Sequence, residues 1–295
     1  MKVCVGASSF SSESAKRLLE EHDIELVLNP YGRRLTQEET ITHLQGAVGL
    51  LAGLEPLNEA VFSACPQLRA AARIGIGVDN VDFEAAKRHG VKISNTPEGP
   101  TEAVAEMTLA ALLTIAHRII PANTDVHRGI WKKRLGFSIR GSRVLIIGYG
   151  RIGRRTAELM RGLGAEISVY DKYNEAVSTC SLEEALRSAE VVTLHAAGTD
   201  AILDRDKLSL LPEGAVVLNS ARGPLVDEDA LYDALQSGQV SWYWGDAHWR
   251  EPYDGKLLSC ENAILTPHLC TYTTRCREEM ELAAVRNLLE DLGCV

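Results

Sequence analysis

The sequence has no run of basic residues, and its 31 Lys and Arg against 40 Asp and Glu leave a net charge of −9 over 295 residues. A surface that neutralises nucleic-acid phosphates needs clustered Lys and Arg, so no nucleic-acid partner is expected and a small-molecule partner is. Paired cysteines are missing too. Cys4, Cys65, Cys180, Cys260, Cys270, Cys276 and Cys294 are odd in number, with no C-x-x-C and no His/Cys spacing suited to zinc. They read as reduced thiols of a cytoplasmic protein with no metal site. Long apolar runs are absent as well: the richest helical stretch, near Ala103 to Ala116, is interrupted by Glu106 and falls short of the ~20 residues that cross a hydrocarbon layer. Met1 to Gly6 enters a strand-like alternation with no basic leader, so neither an export signal nor a membrane partner is expected. No internal repeat or low-complexity tract is visible.

What is present is ordinary globular material, 45% apolar and 24% charged, in a chain long enough for about two domains at ~150 residues each. Short apolar runs alternate with helical-period segments throughout, the rhythm of parallel strands joined by crossover helices. Strands are expected at Lys2 to Gly6, Ile24 to Leu28, Ala47 to Leu51, Ala70 to Ile74 and Val91 to Ser94, with helices near 12–22, 36–45, 56–64 and 82–89. A second series follows at Val144 to Ile147, Ile167 to Tyr170, Val191 to Leu194, Ala215 to Leu218, Val240 to Trp244 and Ala263 to Leu265. Between the two lies Asn95-Thr96-Pro97-Glu98-Gly99-Pro100, turn chemistry that ends at a long helix opening near Thr101. The expected organisation is an α/β chain of two parallel-sheet domains, 1–95 with 273–295 and 96–272, the last helix returning to the first domain.

Val144 to Ile147 runs into Gly148-Tyr149-Gly150-Arg151-Ile152-Gly153 and then a helical stretch. In a Rossmann βαβ unit the first glycine permits the turn, the second lets the backbone approach a pyrophosphate, and the third allows close helix-to-strand packing at a helix N-terminus that favours anions. Asp171 lies 18 residues past Gly153 at the end of the next strand, where an acid accepts hydrogen bonds from ribose hydroxyls and repels a 2′-phosphate. NAD is therefore the expected cofactor, although Lys172 stands beside that acid. Glycines that serve packing alone are the competing reading.

Arg222, Glu251 and His268 fall at or just beyond the ends of later strands, where doubly wound sheets place ligands. The planar fork of Arg222 suits a carboxylate with an adjacent carbonyl oxygen. Singly, each has a plain alternative: a surface ion pair, a solvated acid, a structural histidine.

Together with Arg73 to Asp82, Asn95-Thr96-Pro97, Val104-Ala105-Glu106, Asn219 to Asp227, Asp246 and Thr266-Pro267-His268, these residues give a chain that resembles the D-isomer-specific 2-hydroxyacid dehydrogenases over nearly its whole length. The resemblance implies a Rossmann domain beside a flavodoxin-like substrate domain, a homodimer, and hydride transfer between NAD(H) and a small 2-oxo or 2-hydroxy acid. It implies that Arg222 anchors the substrate carboxylate and 2-oxo oxygen, that His268 is the general acid-base and that Glu251 bonds to its imidazole; a neighbouring carboxylate favours a protonated imidazole. Backbone donors at Ile76, Gly77 and Val78 would hold the substrate carboxylate. Asp246, His195 and Ala221 would join Gly148, Gly150, Arg151, Ile152, Gly153 and Asp171 around the cofactor, with the cleft closing over both ligands. An NAD-sensing corepressor-like protein is the alternative function.

Several positions depart from the family pattern. His195-Ala196-Ala197 stands where His-x-Pro is usual, and Gly245-Asp246-Ala247-His248 where Leu-Asp-Val-Phe is usual. Trp242, Tyr243 and Trp244 are read as core and interface packing, with substrate contact as the alternative, while His248 and Trp249 are exceptions because they lie between Asp246 and Glu251. Cys270 is expected to be a buried, inert thiol. Ala52-Gly53-Leu54-Glu55 lacks the arginine that phosphoglycerate-type members place near the substrate phosphate; Arg33 and Arg34, in the loop after the second strand, are the candidates to offer positive charge instead, with a solvated position as the alternative.

Overall fold

A computed structural model describes all residues, 1–295. The chain divides into two compact units, one of Met1–Pro100 with Tyr272–Val295 and one of Thr101–Thr271. The first unit holds β1 (Lys2–Val5), β2 (Glu25–Val27), β3 (Gly49–Ala52), β4 (Ala70–Arg73) and β5 (Lys92–Asn95), all parallel in the order β2-β1-β3-β4-β5. This is the flavodoxin-like strand order. One apolar layer is built from Cys4, Leu50, Ala52, Ala71, Val61, Phe62 and Ala85. The helix Thr274–Leu292 lies against β3, β4 and β5 and buries Met280, Ala284, Val285, Leu288 and Leu289.

The second unit holds β6 (Arg143–Ile147), β7 (Glu166–Tyr170), β8 (Val191–Leu194), β9 (Ala215–Asn219), β10 (Val240–Gly245) and β11 (Ala263–Leu265), again all parallel, in the order β11-β10-β9-β8-β6-β7. Side chains alternate between faces along a strand, and both faces are covered. Leu145, Ile147, Val192, Leu194, Val217 and Tyr243 belong to one apolar layer, and Val144, Ile146, Val191, Val216, Leu218 and Trp244 to the other. That is why these strands read as unbroken apolar runs, and why Tyr243 and Trp244 are fully buried.

Element ends differ from the sequence expectation in ways the local hydrogen bonds explain. β3 begins at Gly49, because the N–H of Ala47 closes a turn onto the carbonyl of Leu44 at 2.9 Å. The helix expected from 56 starts at Glu59, where Asn58 caps it by accepting the N–H of Val61. The long helix runs Pro100–Ala116 and breaks; Arg118 takes a left-handed φ of 55° and a second helix, Ile119–His127, leaves at 59°. At the break, the Ala116 carbonyl accepts the N–H of Phe137 at 3.0 Å, so the segment after the helices returns to cap the first one. No single helix is long and apolar enough to cross a membrane.

Candidate active site

Parallel registry aligns the strand ends of the second unit. Ile147 pairs with Leu194, Leu194 with Asn219, Asn219 with Gly245, and Gly245 with Leu265. The next residue on each strand therefore falls in one row along the carboxyl edge of the sheet: Gly148, His195, Ser220, Asp246 and Thr266. The chain leaves β6 toward β7 on one side and β8 on the other, and ligands of doubly wound sheets bind outside such a reversal.

The three glycines of the β6 turn have three different surroundings. Gly148, at φ 89°, lies so close to β8 that a Cβ would come within 2.6 Å of the Ala196 nitrogen. A Cβ on Gly153 would strike the carbonyl oxygen of Gly148, so the helix Arg151–Gly162 packs directly on the turn. At Gly150, the N-cap of that helix, a Cβ meets nothing within 4 Å. Packing thus explains two glycines, while the third faces open space at a helix N-terminus, where a pyrophosphate fits. Ile152 is half-buried beside the turn and Arg151 is exposed. Asp171 follows β7 and accepts the N–H of Tyr149 at 2.7 Å and those of Tyr173 and Asn174 at 2.9 and 3.0 Å, which ties the acid to the turn. These residues fit a dinucleotide.

Arg222, Glu251 and His268 follow β9, β10 and β11, three neighbouring strands. The buried amide of Asn219 shapes the first loop: its oxygen accepts the N–H of Ala221 at 3.0 Å and its nitrogen donates to the Arg222 carbonyl at 2.7 Å. The half-buried Arg222 donates from Nη1 to the carbonyl of Ala221 at 2.7 Å. A Cβ on Gly223 would land on the His248–Trp249 peptide, so the loop carrying Glu251 lies directly on this backbone. His268 Nδ1 faces both oxygens of Glu251 at 3.0 and 3.2 Å, and the N–H of His248 donates to the same carboxylate at 3.2 Å. Burial raises the Glu251 carboxyl, but the hydrogen bond and charge of His268, together with the His248 N–H, outweigh it and leave the acid below its ordinary range. The carboxylate stays ionised and Nδ1 of the imidazole is the donor, which leaves Nε2 as the second ring nitrogen for proton transfer.

The other expected site residues have the following surroundings. Asp246 is 1% exposed, and its carboxylate accepts from Thr266 Oγ1, Leu269 N and Cys270 N at 2.6, 2.9 and 3.0 Å, so its oxygens fold the turn that carries His268. His195 lies with Nε2 3.0 Å from the Thr193 hydroxyl and Nδ1 3.2 Å from that of Ser220, and burial pushes its pKa down to about 3; the ring is neutral. Cys270 is buried and burial raises its thiol further. Ile76, Gly77 and Val78 belong to the first unit, in a partly exposed loop after β4 that is pinned by the Gly75 N–H to Thr96 Oγ1 at 2.7 Å and by Asn95 Nδ2 to the Ile76 carbonyl at 2.9 Å. Arg33 is bound bidentately to Glu39, and Glu55 is fully buried against the Gly53 N–H. Sequence reasoning did not single out Asn219 or Thr266 as site residues; a polar residue closing an apolar strand was the available signal.

A parallel sheet with a glycine turn open over Gly150 and an acid after the next strand is the architecture of a dinucleotide-binding domain. Residues 109–270 match the NAD binding domain of D-isomer specific 2-hydroxyacid dehydrogenases. The chain is 32% identical to a glyoxylate reductase of Thermococcus kodakarensis, over 94% of this chain and 89% of that protein. It is also 32% identical to a hydroxypyruvate reductase of Blautia hydrogenotrophica, over 86% and 85%. A solved protein of Thermus thermophilus superposes with a TM-score of 0.92 at 32% identity, covering 100% of this chain and 97% of the other. The chain belongs to the D-isomer-specific 2-hydroxyacid dehydrogenase family, and is an NAD-dependent enzyme of that family.

Proposed function

We propose that the protein reduces a small 2-oxo acid of the glyoxylate or hydroxypyruvate kind with NADH, and oxidises the corresponding D-2-hydroxy acid in reverse. The observation that carries the catalytic assignment is the 3.0 Å contact between His268 Nδ1 and the Glu251 carboxylate, in the loops after β11 and β10, with Arg222 in the loop after the neighbouring β9. NADH, when bound, supplies the hydride. Gly148, Gly150 and Gly153 would seat its pyrophosphate and Asp171 its adenosine ribose; neighbours at Arg151, Ile152, His195, Ala221 and Asp246 would shape the remainder of that surface. Arg222 holds the substrate carboxylate and 2-oxo oxygen through two parallel N–H donors and stabilises negative charge developing on that oxygen. Glu251 fixes the ring of His268 through Nδ1, so that Nε2 gives its proton to the oxygen as the carbon is reduced, and takes it back in the reverse direction. Ile76, Gly77 and Val78 are proposed to add backbone donors to the carboxylate.

The similarity to a glyoxylate reductase and a hydroxypyruvate reductase, together with the first unit, supports a small, uncharged substituent. The loop Ala52-Gly53-Leu54-Glu55 carries no arginine for a phosphate, Glu55 in it is a buried acid, and Arg33 is engaged by Glu39. A panel of 2-oxo acids with NADH, followed by loss of the reduced cofactor's absorbance, tests the reading. Turnover of glyoxylate or hydroxypyruvate well above that of a phosphorylated 2-oxo acid is expected; NADH binding without turnover on any member would favour a sensor.

A homodimer is proposed as well. Trp131 and Leu135 are 88% and 95% exposed on the segment that returns to cap the long helix, apolar area that a second copy would cover. Sedimentation of the wild type and of Trp131→Ser with Leu135→Ser tests it; a wild-type monomer contradicts it. A cytoplasmic location is proposed on the seven free thiols.

A further inference from the structure

We infer that His248 is a positioning residue for the proton-transferring pair, holding both partners from one point. The inference rests on the assignment of His268 and Glu251 above. The backbone N–H of His248 donates to Glu251 Oε1 at 3.2 Å, and its side chain reaches the opposite partner: Nε2 lies 2.9 Å from the carbonyl oxygen of Thr266. A carbonyl only accepts, so Nε2 carries the proton. The same Thr266 oxygen accepts the N–H of His268 at 2.9 Å, and that N–H also meets the Asp246 carbonyl at 2.8 Å.

The anchor is this chain's own, at a position where the family pattern has Phe. His268 stands at φ 53°, a left-handed conformation that costs a side-chain-bearing residue on the order of 1–3 kcal/mol unless its surroundings over-determine it. Its N–H depends on two carbonyls, and His248 fixes the one belonging to Thr266 while Trp244 Nε1, at 3.1 Å, and Asp246 fix the Thr266 hydroxyl. The ring of His248 is itself set by stacking on Tyr253, 5.0 Å between centroids and 28° between planes, and Tyr253 donates its hydroxyl proton to Glu228 at 2.7 Å. His248 Nδ1 is buried without a hydrogen-bond partner. Leaving a buried acceptor unpaired costs about 1–3 kcal/mol, which a ring serving only to fill space would avoid as phenylalanine. The retained donor at Nε2 is the feature that a packing role does not require.

The experiment compares His248→Gln, which can present an amide N–H near the Nε2 position, with His248→Met, of similar length but no donor, and with His248→Phe, which keeps the stack. Steady-state kinetics with glyoxylate or hydroxypyruvate and NADH are measured alongside the NADH dissociation constant. In the Met and Phe variants kcat falls by about ten- to a hundredfold, the cost of a misplaced reacting group, with KM and NADH affinity within about threefold because binding is unchanged. The Gln variant recovers most of the lost kcat. Equal losses in all three variants, or no loss in Met and Phe, overturn the inference. Should Phe fail to fold, the Gln and Met pair carries the same comparison. His268→Asn, run in parallel, separates the two levels: full activity there removes the catalytic assignment itself, whereas its loss with an unaffected His248→Met removes only the role of His248.

Discussion

Asp246 holds three consecutive residues of the turn that presents His268: its carbonyl takes the N–H of His268 at 2.8 Å, and its carboxylate takes those of Leu269 and Cys270 at 2.9 and 3.0 Å. A buried acid here acts as the template on which an otherwise unfavourable backbone is folded. Asp246→Asn replaces one acceptor with a donor that faces N–H groups. A loss of about 1–3 kcal/mol in stability is expected, with a drop in kcat larger than any change in NADH affinity. Denaturant unfolding and steady-state kinetics check both; unchanged stability contradicts the templating role.

Gly150 and Gly153 separate the two uses of glycine in the turn. Gly153→Ala would push a methyl group onto the Gly148 carbonyl and should cost about 1–3 kcal/mol of stability, as overpacking usually does. Gly150→Ala meets nothing, so stability should hold while NADH affinity falls, because the methyl group occupies the side from which a pyrophosphate approaches. Calorimetric binding and thermal unfolding of the pair distinguish these outcomes; an equal effect on both quantities contradicts the assignment.

Asp171→Ala should raise the kcat/KM ratio of NADPH to NADH by at least about tenfold, since the acid that repels a 2′-phosphate is gone. The same variant loses the acceptor of the Tyr149 N–H, so absolute rates with both cofactors should decline. A ratio that does not move removes Asp171 from ribose recognition.

Burial holds His195 neutral down to about pH 3, against an ordinary value of 6.5. Below pH 6.5 the unfolded chain takes up a proton that the folded chain does not. The contribution is therefore complete above 6.5 and is lost as pH falls toward 3, by at most about 1.4 kcal/mol per pH unit. Thermal unfolding between pH 7 and 4 should show a steeper decline for the wild type than for His195→Gln; parallel curves contradict it.

Both sheets were legible because strands covered on two faces carry unbroken apolar runs, as at Val144–Ile147 and Val191–Leu194, and because turn residues separate them. The break at Arg118 was not, since what stops the helix is the N–H of Phe137 reaching Ala116 from twenty-one residues downstream. At the site, Glu251 and His268 stood out as polar residues past strand ends. The inward use of Asp246 did not, because the N–H groups it satisfies lie 23 and 24 residues later, and an acid at a strand end looks the same in sequence whether it faces a ligand or its own backbone. His248 was visible only as an unusual residue; its proposed role depends on Thr266, just past the end of the adjacent strand β11.

The central claim is that His268, fixed by Glu251, moves the proton at the substrate oxygen while taking no part in holding NADH. Its most direct test is the pre-steady-state reduction of the preferred 2-oxo acid by His268→Asn, with NADH affinity measured by fluorescence on the same sample. The chemical step should slow by about 10²–10⁴-fold with NADH affinity within about threefold of wild type. A chemical step at the wild-type rate, or a loss explained entirely by weaker NADH binding, would contradict the account.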